Sequence, residues 1–235
     1  MEQGFVKVAS ATPRIRVADP VYNAQVICEQ AKEAAEHGAK IVVFPELCIT
    51  GYTCNDLFLQ ELLLEKAKEA LLTIAEETGQ LETLFLVGLP VDKDGRLYNV
   101  AAVLYRGRIL GMIPKKNIPM YAEFYEGRHF TPGEETVTEY RLGKQVIPFG
   151  SNLLFRCEEL PELILGCELC EDLWVAEPPS TSHALMGATV IANLSASNET
   201  VSKDDYRTLL IKASSARLLC GYIYTSAGEG ESTQD

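Results

Sequence analysis

Three reactive side chains stand directly after apolar runs in this chain. "VVFPE" ends in Glu46, "LGMIPK" ends in Lys115 and "LGCELC" ends in Cys170. A short continuous apolar run reads as a strand buried on both faces, and in open α/β sheets the chemistry collects at the carboxyl ends of the strands. An acid, a base and a thiol at three strand ends could converge on one pocket. Taken singly, Glu46 and Lys115 also fit solvated charges, and Cys170 fits a buried strand cysteine. Finding all three at strand ends is what makes them candidates together.

Cys170 has close company. Cys167 lies three residues before it, and Glu171 and Asp172 follow at once. Negative neighbours make a thiol harder to ionise, so this setting by itself opposes a reactive cysteine. A metal clip needs further Cys or His ligands in matched spacing, and His37, His129 and His183 are scattered. Residues three apart on a strand point to opposite faces, which separates the two sulfurs and also weakens a redox pair. Cys167 then reads as core, Cys170 as the reactive candidate, and no metal site is expected. No Gly-x-Ser-x-Gly elbow is present, and "GEGES" lacks the lysine of a phosphate loop.

The chain of 235 residues has 47% hydrophobic residues and a formal charge of −12. That is enough to bury one large core, and the acidic balance argues against nucleic acid or an anionic membrane surface. The start "MEQGFVKVAS" has no apolar signal region, and no apolar run is long enough for a membrane span. Seven cysteines in no small disulfide pattern fit buried thiols in a reducing cytoplasm.

The elements that must carry the three groups alternate between β and α. "FVKVAS" reads as a strand. Val21, Ala24, Ile27, Ala31 and Ala34 mark a helix over residues 21–37, closed by Gly38. "AKIVVFPE" reads as a buried strand. Leu59, Leu63, Ala67, Ala70 and Ile74 mark a second helix, stopped near Gly79, and "TLFLVGLP" is another strand. "YNVAAVLYRGRILGMIPK" reads as a hairpin turning at Arg106-Gly107. A loop-rich stretch runs from Lys115 to about Gly150. Strands follow at "NLLFRC" and "LILGCEL", then a short helix near Thr181–Met186 and a strand at "ATVIANLSAS". Residues 204–220 form a further helix with Tyr206, Leu209, Leu210, Ala213, Ala216 and Cys220 on one side, and "GYIYTSAG" is the last strand. With no internal repeat or linker, residues 1–235 read as one α/β domain.

Several blocks are familiar. "FPELCITGY", "PKKNIPMYAEFYEGRHFTPG" and "CEDLW" resemble the nitrilase superfamily of carbon–nitrogen hydrolases. "YAEFYEGRHF", "CEDLWVAEPPS", "GATVIANLSASNE" and "SAGEGEST" resemble, more narrowly, the glutaminase domains of glutamine-dependent NAD+ synthetases. The resemblance runs from about Val6 to the last residue. It implies an α-β-β-α sandwich and a Glu–Lys–Cys triad of Glu46, Lys115 and Cys170. Lys115 is chosen over Lys116 because it directly follows Pro114 and stands four before Pro119.

By the same resemblance, Glu123 is the additional glutamate beside the lysine. Tyr52, Tyr121, Glu126, Glu171, Ser197 and Lys203 would line the substrate pocket, Lys203 as partner for an α-carboxylate. With Lys115 near the sulfur, Glu171 and Asp172 are left to hold the turn or to meet a cationic substrate group. The implied reaction is glutamine hydrolysis through a Cys thioester, with ammonia passed on for NAD+ synthesis and no cofactor in this domain. The family continues past Asp235 with more strands and a synthetase domain that uses ATP and Mg. This chain is therefore expected to be a C-terminally truncated fragment of a homo-oligomeric, cytoplasmic enzyme. The alternatives on the same residues are a stand-alone amidase or N-carbamoyl hydrolase, and an inactive interaction module.

Overall fold

The structure, a computed structural model, describes residues 4–231. Eleven strands among them form two sheets. The larger has the order β1-β2-β3-β4-β5-β7-β6 and the smaller the order β11-β10-β9-β8.

In the larger sheet, β1 (Val8–Ser10), β2 (Ile41–Val43) and β3 (Leu84–Lys93) run parallel. Next, β4 (Arg96–Tyr105) and β5 (Arg108–Pro114) fold back as antiparallel hairpins. The second hairpin turns at Arg106-Gly107 as its sequence predicts. The first turns at Asp94-Gly95 with positive φ at both residues, 54° and 73°, as a type I′ turn requires. This extends β3 well past Pro90, where the apolar pattern stops. Pro90 is tolerated because β2 pairs with β3 only as far as Leu86, so the missing N–H falls in a stretch bonded on one side.

The stretch after Lys115 is not loop throughout. It contains the hairpin β6 (Thr138–Leu142) and β7 (Gln145–Phe149), turning at Gly143 with φ 58°. Tyr140, Leu142, Ile147 and Phe149 alternate inward and are buried, a period-two pattern in a segment whose Gly and Pro content masks it. The smaller sheet contains β8 (Leu154–Arg156), β9 (Ile164–Leu169), β10 (Val190–Ser195) and β11 (Gly221–Ser226). The last three are parallel.

The layers follow from the apolar faces. Helix α1 (Pro20–Glu36) starts on Asp19, whose carboxylate accepts the Tyr22 N–H at 3.1 Å, with Pro20 opening the first turn. Helix α2 (Glu61–Glu77) follows a 3₁₀ turn at Asn55–Leu59. Ile27, Ala31, Ala67, Leu71 and Ile74 pack on Val42, Phe85, Leu89, Val100 and Leu104 of the larger sheet. Between the sheets lie Ile41, Val43, Leu86, Val103 and Ile113 against Leu165, Cys167, Leu169, Leu194 and Ile223. Helices α3 (Pro179–Leu185) and α4 (Lys203–Leu218) cover the far side of the smaller sheet. The architecture is α-β-β-α.

One expectation about α4 is turned around. Its apolar side faces outward, with Tyr206 54% and Leu209 62% exposed, while Arg207 and Ser214 are buried. The sheet face beneath it is polar, carrying Glu168, Asn193, Ser195 and Tyr224, so a polar helix side is the matching one.

Candidate active site

Three strand ends meet between the two sheets. Glu46 follows β2, Lys115 follows β5 and Cys170 follows β9, and all three are buried. Lys115 Nζ donates to Glu46 Oε1 at 2.7 Å and to Glu126 Oε1 at 2.6 Å. Tyr52 Oη donates to the same Glu126 oxygen at 2.9 Å. The Ala196 amide, one residue past β10, donates to Glu46 Oε2 at 3.0 Å and bears also on the Cys170 thiol. Both sheets therefore contribute to one polar cluster.

Two backbone bends aim the reactive groups. Leu47 has φ 51° and Cys170 has φ 40°, left-handed conformations that L-residues with side chains seldom adopt, at roughly 1–3 kcal/mol each. At Cys170 the bend ends the strand alternation. Cys167 points into the core between the sheets, and Cys170 opens a 3₁₀ turn (Cys170–Leu173) beside Glu46 and Lys115. The acidic neighbours of Cys170 are each engaged by other partners. Asp172 turns back to hold the bend, accepting the Leu169 amide at 3.0 Å and the Asn117 backbone and side-chain N–H groups at 2.8 Å each. Glu171 turns to the rim and accepts Tyr121 Oη at 2.8 Å.

Glycine is required where the Glu46 bend lies on β3. A Cβ at Gly88 would come within 2.3 Å of the Leu47 nitrogen and 2.6 Å of the Pro45 oxygen. Gly133 plays the same part under Lys115, its Cβ position lying 2.7 Å from the Pro114 oxygen.

Burial and charge set the protonation states. Burial pushes Glu46 up, Lys115 pulls it back and Glu126 adds to the rise, leaving it at about 7. Burial opposes the charge on Lys115, but Glu126 and Glu46 outweigh it and hold the ammonium well above its ordinary range. Burial, and then Glu46, raise the Cys170 thiol above the usual thiol range. At neutral pH the site holds a neutral thiol, an ammonium and a carboxylate poised near half ionisation.

The glutamate expected beside the lysine is Glu126 and not Glu123. Glu123 is half-buried outside the Lys115 contacts, because the chain turns at Ala122, with φ 49°, and a 3₁₀ turn (Glu126–Arg128) carries Glu126 inward. Turns of this kind have no periodic signal.

Of the expected substrate residues, Tyr52 and Glu126 belong to the buried cluster, and Tyr121 and Glu171 pair at its rim. Ser197 is placed by its amide, which donates to Ser226 Oγ at 3.2 Å. Lys203 Nζ bonds the Asn198 side chain and lies 5.6 Å from the Phe124 ring centre and 5.4 Å from that of Trp174. Asn99 also belongs to the cluster, without a place among the sequence candidates. Its Nδ2 donates to Glu46 Oε1 at 2.7 Å, and the signal for it was a lone amide inside the apolar run "YNVAAV". Among the described residues, no group of three or more His, Cys, Asp or Glu side chains is arranged to hold a metal.

A buried thiol at a strand-end bend, backed by a carboxylate and an ammonium, defines a class as well as a site. The carbon-nitrogen hydrolase family model matches residues 7–226, and the chain belongs to that family. Within it, the chain is 43% identical to the glutamine-dependent NAD(+) synthetase of Mycobacterium tuberculosis over 234 residues, 100% of this chain and 34% of that protein. The crystal structure of a glutamine-dependent NAD(+) synthetase from Cytophaga hutchinsonii superposes with a TM-score of 0.84 at 28% identity, covering 95% of this chain and 36% of that one. The chain thus spans about a third of the length of the curated relatives it matches. An amidase from Nesterenkonia sp. shares the fold, with a TM-score of 0.72 at 20% identity over 98% of this chain and 80% of that one. The larger hydrolase fold is nitrilase-type, as the sequence resemblance implies.

Proposed function

We propose that this chain is a glutamine amidohydrolase unit that releases ammonia for the amidation of deamido-NAD+. The observation that carries the reading is the buried Glu46–Lys115 contact of 2.7 Å beside Cys170, in a chain matched end to end by glutamine-dependent NAD(+) synthetases. Cys170 is the nucleophile, Glu46 the base and Lys115 the cation that meets the developing oxyanion together with a backbone N–H, that of Glu171. Glu126 and Tyr52 hold Lys115 in place.

The thiol stands above its ordinary range and Glu46 at about 7, so a free thiolate is disfavoured at rest. Proton transfer from Sγ to Glu46 Oε2 therefore accompanies attack, as the C–S bond forms at the side-chain amide carbon. The net charge of the cluster does not change in that step, which suits a site closed to water. Breaking the C–N bond releases ammonia, which takes the proton from Glu46. Water then adds to the thioester and gives its proton to Glu46. The C–S bond breaks, glutamate leaves and the proton returns to sulfur.

At the rim, Glu171 and Tyr121 suit an α-ammonium, and Lys203 with the Ser197 segment suits an α-carboxylate. ATP and Mg belong to a synthetase domain downstream, to which this unit is joined in a cytoplasmic homo-oligomer. A stand-alone amidase is the second reading, favoured by the fold shared with the Nesterenkonia amidase.

A diazoketone analogue of glutamine, followed by mass spectrometry, tests the first reading. One adduct on the Cys170 peptide, suppressed by glutamine and not by simple ω-amides or N-carbamoyl compounds, is expected. Suppression by the simple amides alone moves the assignment to the second reading. With ATP, deamido-NAD+ and ammonium salt, the chain by itself is expected to form no NAD+. Product above the blank would place a synthetase site within these residues.

A further inference from the structure

The three-residue chemistry requires no amide, yet Asn99 sits fully buried in the middle of β4. Its carbonyl accepts the Lys115 amide at 2.8 Å, so the residue also ties down the end of β5. Its Nδ2 donates to Glu46 Oε1 at 2.7 Å and reaches Glu126 Oε2 at 3.4 Å. Its Oδ1 is buried with no partner among the described residues. An unpaired buried acceptor is destabilising, and the reversed amide would set that oxygen against two carboxylates, which is worse. The amide is therefore held for its donor end.

The groups facing Glu46 come from five elements. Lys115 follows β5, Glu126 lies in the 3₁₀ turn, Tyr52 follows the Glu46 bend, Cys170 follows β9 and the Ala196 amide follows β10. One ammonium between two carboxylates leaves a net negative charge in a buried site. Such a site gains by binding a proton on one of the carboxylates, which would remove the base. Lys115 and Asn99 both occupy Glu46 Oε1, so the oxygen left to take a proton is Oε2, on the side of the Ala196 amide that bears on the thiol.

We propose that Asn99 is a positioning residue whose amide bridges Glu46 and Glu126 around Lys115, favours the ionised form of Glu46 and presents Glu46 Oε2 to the Cys170 thiol. This rests on Cys170 and Glu46 as nucleophile and base, and not on glutamine as the substrate.

The test is the rate of Cys170 alkylation by iodoacetamide, followed from about pH 5 to about pH 9 across the ordinary range of a raised carboxyl group. It is run on the wild-type chain and on Asn99→Leu, which keeps the volume and removes the donor. The acidic limb is expected to move up by about one pH unit in the variant, the scale of a lost hydrogen bond to a carboxylate. Asn99→Ala, which admits a water as substitute donor, serves if the leucine variant does not fold. Its limb should move in the same direction by about half as much. A folded variant that reacts more slowly with its limb unmoved would reduce Asn99 to a packing role and overturn the proposal. Glutamine turnover measured in parallel separates the two claims. If the limb moves as expected while even the wild-type chain leaves glutamine intact, Asn99 keeps its role and the glutaminase reading fails.

Discussion

The two sheets are covered by helices in opposite ways. Over the larger sheet, α1 and α2 meet the strands through Ile27, Leu71 and Ile74 on Phe85, Leu89 and Val100, an interface of apolar side chains. Over the smaller sheet the buried layer is largely polar. Glu168 accepts the Ser180 amide at 2.8 Å and the Tyr222 hydroxyl, Ser195 Oγ donates to Asn193 Oδ1 at 2.7 Å, and Arg207 lies above the Tyr224 ring. Only a small apolar cluster of Ala188, Ile191 and Cys220 backs it. The apolar layer provides non-directional stability and tolerates any arrangement that fills space. The polar layer is directional, since its hydrogen bonds require particular partners, and it leads up to the site. Ser195 and Ala196, at its end, offer Glu46 a carbonyl and an amide. The smaller sheet is thus the more constrained half, and it is the half that bears Cys170.

The sharpest test of that division lies within one strand. Cys167 and Cys170 are three residues apart and belong to different layers, the first to the core between the sheets and the second to the polar cluster. Cys170→Ala is expected to abolish glutamine hydrolysis. Cys167→Ala is expected to leave turnover intact and to cost about 1 kcal/mol of stability, the usual scale for a small change in packing. Equal loss of turnover in both folded variants would mean that the sulfurs act as a pair.

Next in size are the charges. Glu46→Gln removes the proposed base and Lys115→Met the proposed oxyanion cation, and each should lower kcat by at least about a hundredfold. A kcat near wild type in either would break the assignment. The pH dependence has a definite sign. Glu46 stands at about 7, so the active carboxylate is present above that pH and lost below it. Because Glu126 contributes to the rise, Glu126→Gln should move the acidic limb of kcat/KM down, opposite to the shift expected for Asn99→Leu. On stability the raised group acts the other way. Its contribution is fully present below the ordinary carboxyl range and is lost as pH rises through about 7, so the site is least favourable to the fold where it is most ready for chemistry.

How far the sequence foretells these features depends on what each element is made of. Glu46, Lys115 and Cys170 are legible because each ends an apolar run, and hydrophobic patterning is the strongest local signal. Regular strand β2 is nevertheless only Ile41–Val43, since the chain must leave the sheet early to make the bend that carries Glu46. The β6–β7 hairpin is hidden by Gly143 and Pro148 within a short alternation. Glu126 and Glu123 cannot be told apart by periodicity, because the 120–128 segment is placed by turns and by its long-range bonds to Tyr52 and Lys115. Asn99 shows as an amide in an apolar strand, which demands a partner without naming it. What stays illegible is long-range polar pairing. It has no repeat to read.

Helix α4 supplies the smallest expected effect and the cleanest contrast between the two halves. By its spacing, Leu209 belongs to an apolar stripe and should be core, in which case Leu209→Gln would destabilise by several kcal/mol. In the structure Leu209 is 62% exposed, whereas Leu71 of α2 is fully buried on the larger sheet. Leu209→Gln should therefore change stability by no more than about 0.5 kcal/mol, the range of surface substitutions. Leu71→Ala should cost about 2–5 kcal/mol, the range for emptying a buried leucine site. Both follow from urea unfolding, with m-values checked so that changes in the unfolded state are not mistaken for lost packing. Turnover per folded molecule should stay near wild type in each, because neither side chain touches the polar cluster. A loss above about 2 kcal/mol in Leu209→Gln would show that the apolar side of α4 is turned inward, which is the reverse of the present arrangement. The polar layer beneath α4 would then have no helix to complete it, and the contrast between the two sheets would fall with it.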